Sequence, residues 1–151
     1  MSETVQDVSP VVRRVEIRAT PERVFALFTE PESLVKWWPE AATFEPHVGG
    51  EVRLVFKQGE VTGAVTAFDP PGRLGFTWVR SDEPEITTYV DVTFSDTGDG
   101  RCAVELVHSG WEAVPAEARA EWRQLHDLGW SHFLPLLADL AEGRPVDKSF
   151  G

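Results

Sequence analysis

The sequence predicts an α+β domain in which a largely antiparallel sheet of about seven strands packs against one long C-terminal helix. Three observations predict it. From Thr43 to His108, apolar and polar residues alternate with a period of two, interrupted by short Gly- and Pro-containing turns. From Pro115 to Glu142 the apolar spacing changes to threes and fours, the signature of an amphipathic helix. The links between strands are too short for crossovers, so neighbouring strands run antiparallel. One sheet and one helix must bury each other's apolar faces, and a sheet that curls leaves a pocket between them.

Taken in order, Val11 to Ala19 reads as a strand, with Val15, Ile17 and Ala19 on one face and Arg14, Glu16 and Arg18 on the other. Thr20-Pro21-Glu22 starts a helix: a capping hydroxyl, a proline suited to the first turn, and a carboxylate at the positive end of the dipole. Pro31 restarts a second short helix that reaches Trp37-Trp38, where Pro39 stops it. Phe44 to His47 and Glu51 to Lys57 read as strands joined through Gly49-Gly50. Val61 to Asp69, Leu74 to Arg80, Ile86 to Ser95 and Arg101 to His108 complete the sheet, with Pro70-Pro71-Gly72 and Asp96 to Gly100 as turns. On the last helix, Trp122, Leu125, Gly129, Phe133, Leu136 and Leu140 form a stripe predicted to face the sheet, widened by Trp130, Leu134 and Leu137. Pro135 removes a backbone donor, which predicts a kink or break near Gly129 to His132.

The 151 residues suit one domain over 11–144, with residues 1–10 as an N-terminal arm and 145–151 as a tail. The net charge of −11 and the scattered arginines exclude a phosphate-backbone partner, which needs a basic stripe. A single cysteine, Cys102, fits a reduced, cytoplasmic protein. Residues 1–10 lack a signal-peptide pattern, and no apolar run is long enough to span a membrane as a helix, so no membrane partner is expected.

The residues aimed between sheet and helix are unusually aromatic. Trp78, His108, Trp122 and Phe133 are the leading candidates to line a ligand cavity, backed by Trp38, Phe56, Phe76, Val92 and Leu106. Of the adjacent pair Trp37 and Trp38, one is expected in the core and the other toward solvent or ligand. His108 shares the inward face of its strand with Val104 and Leu106, so it is either a hydrogen-bonded core histidine, a ligand contact or, in a catalyst, a general base. Ser109 points to the opposite face and cannot pair with it as a nucleophile. His126 and His132 lie six residues apart on different helix faces, and nothing completes a metal set. Val48-Gly49-Gly50 lacks the rest of a phosphate loop. The sequence thus implies neither cofactor nor metal, and no constellation in it compels an enzyme.

Several segments also carry a family likeness: the strand and helix start from Val15 through Ala19-Thr20-Pro21-Glu22-Arg23-Val24-Phe25, then Thr29-Glu30-Pro31 and Trp37-Trp38. Val48-Gly49-Gly50, Asp69-Pro70-Pro71, Phe76-Thr77-Trp78, His108-Ser109-Gly110-Trp111 and Gly129-Trp130-Ser131-His132-Phe133 follow in order. Together they resemble START-like (SRPBCC) domains, and most nearly the branch named for the activator of heat-shock protein 90 ATPase, over about residues 12–143. The resemblance implies a helix-grip fold, a seven-stranded antiparallel sheet wrapped around the long helix with two short helices after the first strand. It also implies a cavity for a small hydrophobic or aromatic molecule, such as a lipid or polyketide. Two other functions follow from it: a cyclase/aromatase- or lyase-type enzyme using the same cavity, and a chaperone-associated interaction module. A homodimer through sheet edges is compatible with all three.

Overall fold

A computed structural model describes residues 7–149. Seven strands form one antiparallel sheet in the order β1-β7-β6-β5-β4-β3-β2. They are β1 (Val11–Ile17), β2 (Ala41–Phe44), β3 (Glu51–Val55), β4 (Glu60–Asp69), β5 (Arg73–Arg80), β6 (Thr88–Asp96) and β7 (Cys102–Ser109). Helices α1 (Pro21–Thr29) and α2 (Pro31–Trp37) follow β1, and α3 (Ala116–Ala141) closes the fold. This is the helix-grip arrangement.

The strand faces follow the predicted alternation. Leu74, Phe76 and Trp78 on β5, Val90, Val92 and Phe94 on β6, and Cys102, Val104, Leu106 and His108 on β7 are all buried. Antiparallel register sets these rows side by side: Phe76 opposes Val90, and Val90 opposes His108. The start of α1 is held by the Thr20 hydroxyl, which accepts from the Arg23 N–H at 3.3 Å, with Pro21 in the first turn. Helix α3 begins without a side-chain cap. Arg119 ties its first turns to the preceding segment, its guanidinium donating to the carbonyls of Trp111, Glu112 and Val114.

Three local expectations are corrected. Strand β2 covers Ala41–Phe44 and not Phe44 to His47, and Phe44 pairs with Val52. Pro46 has no N–H for the ladder, and Gly49 turns the chain with φ +87°, so residues 45–50 form a wider link than a two-residue hairpin. Helix α3 runs without a break through Pro135. Ser131 and Pro135 both face solvent, where water can satisfy the carbonyl that the proline leaves unpaired. Finally, the face of α3 buried in the core is Trp122, Trp130, Leu134, Leu137 and Ala138. The Leu125–Gly129–Phe133 row is rotated away from it, leaving Leu125 and Leu128 exposed.

Candidate functional site

Between the sheet and α3 the space divides into a sealed region and an open one. The sealed region centres on His108, which is 0% exposed. The Trp130 indole N–H donates to its Nδ1 at 3.0 Å. An indole can only donate, so Nδ1 must be the bare nitrogen and the proton sits on Nε2. Nε2–H in turn donates to the Thr88 hydroxyl at 2.8 Å, and that hydroxyl donates to the Trp78 carbonyl at 3.4 Å. Trp111 packs on the imidazole at 4.5 Å between ring centroids and donates its own N–H to the His108 carbonyl at 3.0 Å.

A second relay runs beside the first. Trp78 donates its indole N–H to His126 Nε2 at 3.1 Å, so His126 carries its proton on Nδ1, which donates to the Trp122 carbonyl at 2.7 Å. The two imidazoles are 5.2 Å apart. Both are held neutral. Burial pushes His108 well below the usual imidazole range, with the neighbouring His126 adding to the shift. Burial also lowers His126, partly opposed by its bond to the Trp122 carbonyl, and the Arg80 cation lowers it further. A proton added to either ring would face an indole N–H with another N–H.

Arg80, at the end of β5, stacks its guanidinium 4.3 Å above the Trp122 ring and grips the Asp82 carboxylate with Nε and Nη2 at 3.0 and 2.7 Å. Cys102 is buried, and burial pushes its thiol up to about 11, which leaves it inert at neutral pH.

The open region lies under the turn that joins β3 to β4. A cavity of about 310 Å³ is bounded by Phe56, Val61, Trp78, Leu125 and His126, with Gln58, Glu60, Arg80, Ser81 and Asp82 at its polar rim. A smaller one of about 110 Å³ continues inward between Trp38, Trp78, Gly129, Trp130 and Phe133. A third, of about 480 Å³, opens on the other side of Phe56 toward Lys57, Phe133 and the tail residues Asp147, Lys148 and Ser149. The Lys148 ammonium fixes that tail by donating to the carbonyls of Val35 and Pro39 at 2.7 and 3.1 Å. A fourth groove, about 540 Å³, lies apart, between α1 and the β4–β5 turn, and is lined mainly by Phe25, Phe44, Phe68 and prolines.

Among the residues singled out from sequence, Trp38, Phe56, Trp78 and Phe133 border the open region. Phe76, Val92 and Leu106 lie in the solid core, and His108 lies within the sealed network. Trp122 sits beneath Arg80 and beside His126 instead of on a cavity wall. Trp37 is wholly buried and donates to the Leu27 carbonyl at 3.0 Å, whereas Trp38 reaches the cavity edge. His126, Leu125, Gly129 and Arg80 are not among the residues expected to line the cavity, although His126 is weighed as a metal ligand and Leu125 and Gly129 are placed on the helix stripe. One signal was available: Trp122, His126 and Trp130 are spaced four apart, which places all three on one face of a helix.

A family model described as "Activator of Hsp90 ATPase homolog 1-like protein" matches residues 18–142. No curated protein matches the sequence. Solved structures of the same fold include CalU16 from Micromonospora echinospora, at 24% identity and TM-score 0.71, covering 89% of this chain and 74% of that one. The Aha1 dimer from Colwellia psychrerythraea has 24% identity and TM-score 0.70, with 88% and 96% covered. DynU16, from the dynemicin biosynthetic locus, has 22% identity and TM-score 0.73; the match spans 91% of this chain and 49% of DynU16.

Proposed function

The chain belongs to the activator of Hsp90 ATPase homolog 1-like family, within the START-like (SRPBCC) superfamily, and from that premise we propose that it binds a small, largely apolar aromatic molecule in the cleft beneath the β3–β4 turn. The observation that carries this reading is Gly129. Glycine in a helix interior costs roughly 1 kcal/mol relative to alanine. Yet this one sits in the middle of α3, on the same cavity as Trp78, Trp130 and Phe133, and a Cβ added there would meet nothing within 4 Å beyond its own chain neighbours and helix backbone. A position that gives up helix stability and leaves space beside three aromatic rings fits a receptacle better than a packed core.

Binding would follow from desolvation. Each square ångström of apolar surface removed from water contributes about 25 cal/mol, and the indole faces of Trp38 and Trp78 offer flat surfaces for ring stacking. The rim of Arg80, Asp82, Ser81 and Gln58 would fix orientation through hydrogen bonds. Catalysis by His108 is not part of the proposal, because both of its ring nitrogens are engaged inside the protein. The origin of DynU16 in a biosynthetic locus is in keeping with a small-molecule role.

The test is titration of the full chain with 1-anilinonaphthalene-8-sulfonate, following tryptophan quenching and probe emission, beside native mass spectrometry of freshly isolated protein. The wild type takes up probe or carries a co-purifying molecule. Gly129→Leu keeps its melting temperature within a few degrees and binds at least tenfold more weakly. A wild-type protein that neither quenches nor carries a ligand defeats the reading.

The family description favours one second reading, association with the Hsp90 chaperone. It predicts that the chain raises chaperone ATPase turnover, and that Gly129→Leu does so as well as wild type.

A further inference from the structure

Resting on the ligand-binding reading above, we infer that the cleft takes elongated, flat aromatic molecules with a polar group at each end, and that Phe56 is the residue that decides which lengths are admitted. Three cavities meet around this side chain, and among the described residues it alone lines all three. Leu125 and His126 border the first and the innermost; Trp38 and Phe133 border the innermost and the third. Phe56 is therefore the partition of one larger space.

Its backbone and its side chain are held very differently. Phe56 follows β3 at the turn, where its N–H donates to the Gly59 carbonyl at 2.8 Å and the Gly59 N–H returns to the Phe56 carbonyl at 3.3 Å. The main chain is pinned. The ring, by contrast, is only half-buried and has one aromatic neighbour among the described residues, Trp38, at 5.8 Å. Trp78 contacts five: Trp38, Phe76, His108, His126 and Trp130. A rotamer change at Phe56 leaves the sheet ladder intact and disturbs little packing, and half-exposed side chains make such changes quickly.

With the ring as it stands, the compartment of about 310 Å³ suits a molecule of one or two fused rings. With the ring swung aside, the three spaces join into a trough. Its walls are the aromatic faces of Trp38, Trp78 and Phe133. One end is marked by Arg80 and Asp82, the other by Lys57 with Glu40, Asp147 and Ser149, beside a Lys148 already bonded to two carbonyls. Charged groups at both ends, with Gln58 and His126 as the polar side chains between them, suit a rod-like aromatic with two polar termini.

The experiment compares two diols by tryptophan quenching: 2,6-dihydroxynaphthalene as the short probe and 4,4''-dihydroxy-p-terphenyl as the long one. Wild type, Phe56→Ala and the milder Phe56→Leu are titrated as full chains, with melting temperatures measured in parallel. Phe56→Ala binds the long diol at least tenfold more tightly than wild type, Phe56→Leu falls between, and the short diol changes less than threefold in either variant. Equal changes for both diols, or none, overturn the role of Phe56 while leaving the ligand-binding reading standing. No quenching by either diol in any of the three proteins overturns both.

Discussion

The two ends of the space between sheet and helix use the same chemistry to opposite effect. Around His108, two indoles and an imidazole fit so closely that each polar atom of the ring has a partner and no described cavity touches it. Around Phe56, indoles and phenyl rings, Trp78 and Trp130 among them, leave several hundred cubic ångströms open, and beside the innermost part, of about 110 Å³, the helix presents Gly129 in place of a bulky side chain. Aromatic content therefore does not separate a core from a receptacle. What separates them is whether the hydrogen-bonding inventory closes among protein groups, and whether a side chain fills the gap between rings. His126 marks the boundary, bonded into the network through Trp78 and Trp122 while one edge lies on the cavity wall.

The largest effect that would break this comparison is expected at the closed end. His108→Leu removes the acceptor of the Trp130 N–H and the donor to Thr88 in a fully buried site. Stranding a buried donor costs about 1–3 kcal/mol, and the changed shape adds a packing penalty of similar size. Urea denaturation should therefore show a loss of roughly 3–5 kcal/mol. A loss under about 1 kcal/mol would mean that the network is wet and that the two ends differ less than they appear to. His108→Gln, which can still accept and donate, should recover part of the loss.

A second, smaller effect follows from protonation. Both imidazoles are depressed in the folded protein, His108 by burial first and His126 by burial first. In the unfolded chain they titrate near about pH 6.5. Below that value the unfolded state binds protons that the folded state refuses, so stability is full above it and declines as pH falls toward the folded values. The slope is about 1.4 kcal/mol per pH unit for each histidine. Between pH 7.5 and 5.5 the protein should lose about 1–3 kcal/mol, and a His108→Leu variant should lose less over the same interval. The paired carboxylates, such as Asp82, are lowered by their hydrogen bonds and act only at lower pH.

How much of this contrast was legible beforehand depended on the range of the signal. Alternation on β5, β6 and β7 placed Trp78, Val92, Leu106 and His108 on the inner face, because a period of two is local and permits one answer. On α3 the period was ambiguous. Trp122, Trp130, Leu134 and Leu137 form one apolar row and Leu125, Gly129, Phe133 and Leu136 an adjoining one, so spacing alone did not choose which row faces the sheet. The larger indoles took the core, and the row containing the glycine was left bordering the cleft. Nothing local announced that Trp130 would find His108, 22 positions away, or that Trp78 would find His126, 48 away. Those partners are set by how the helix crosses the sheet, a global quantity. The extent of the open volume was hidden for the same reason, since it depends on gaps between side chains and not on their identities.

The smallest effect sharpens the comparison most, because its sign is diagnostic. At the closed end an added carbon would have to displace a neighbour. At Gly129 it meets open space, and the residue lies in a regular stretch of α3 where φ is not positive. Gly129→Ala should therefore gain the helix propensity that glycine forfeits, raising stability by about 0.5–1 kcal/mol. In differential scanning calorimetry this would appear as a rise of about 1–4 °C in Tm for a domain of this size. The same methyl group intrudes on the cavity of about 110 Å³, so the variant should be more stable yet bind 1-anilinonaphthalene-8-sulfonate a few-fold more weakly. A gain in one property with a loss in the other is the mark of a position kept small for a guest. A destabilised Gly129→Ala would instead mean that the ring walls close on the helix at this point, and the open end would be as full as the sealed one.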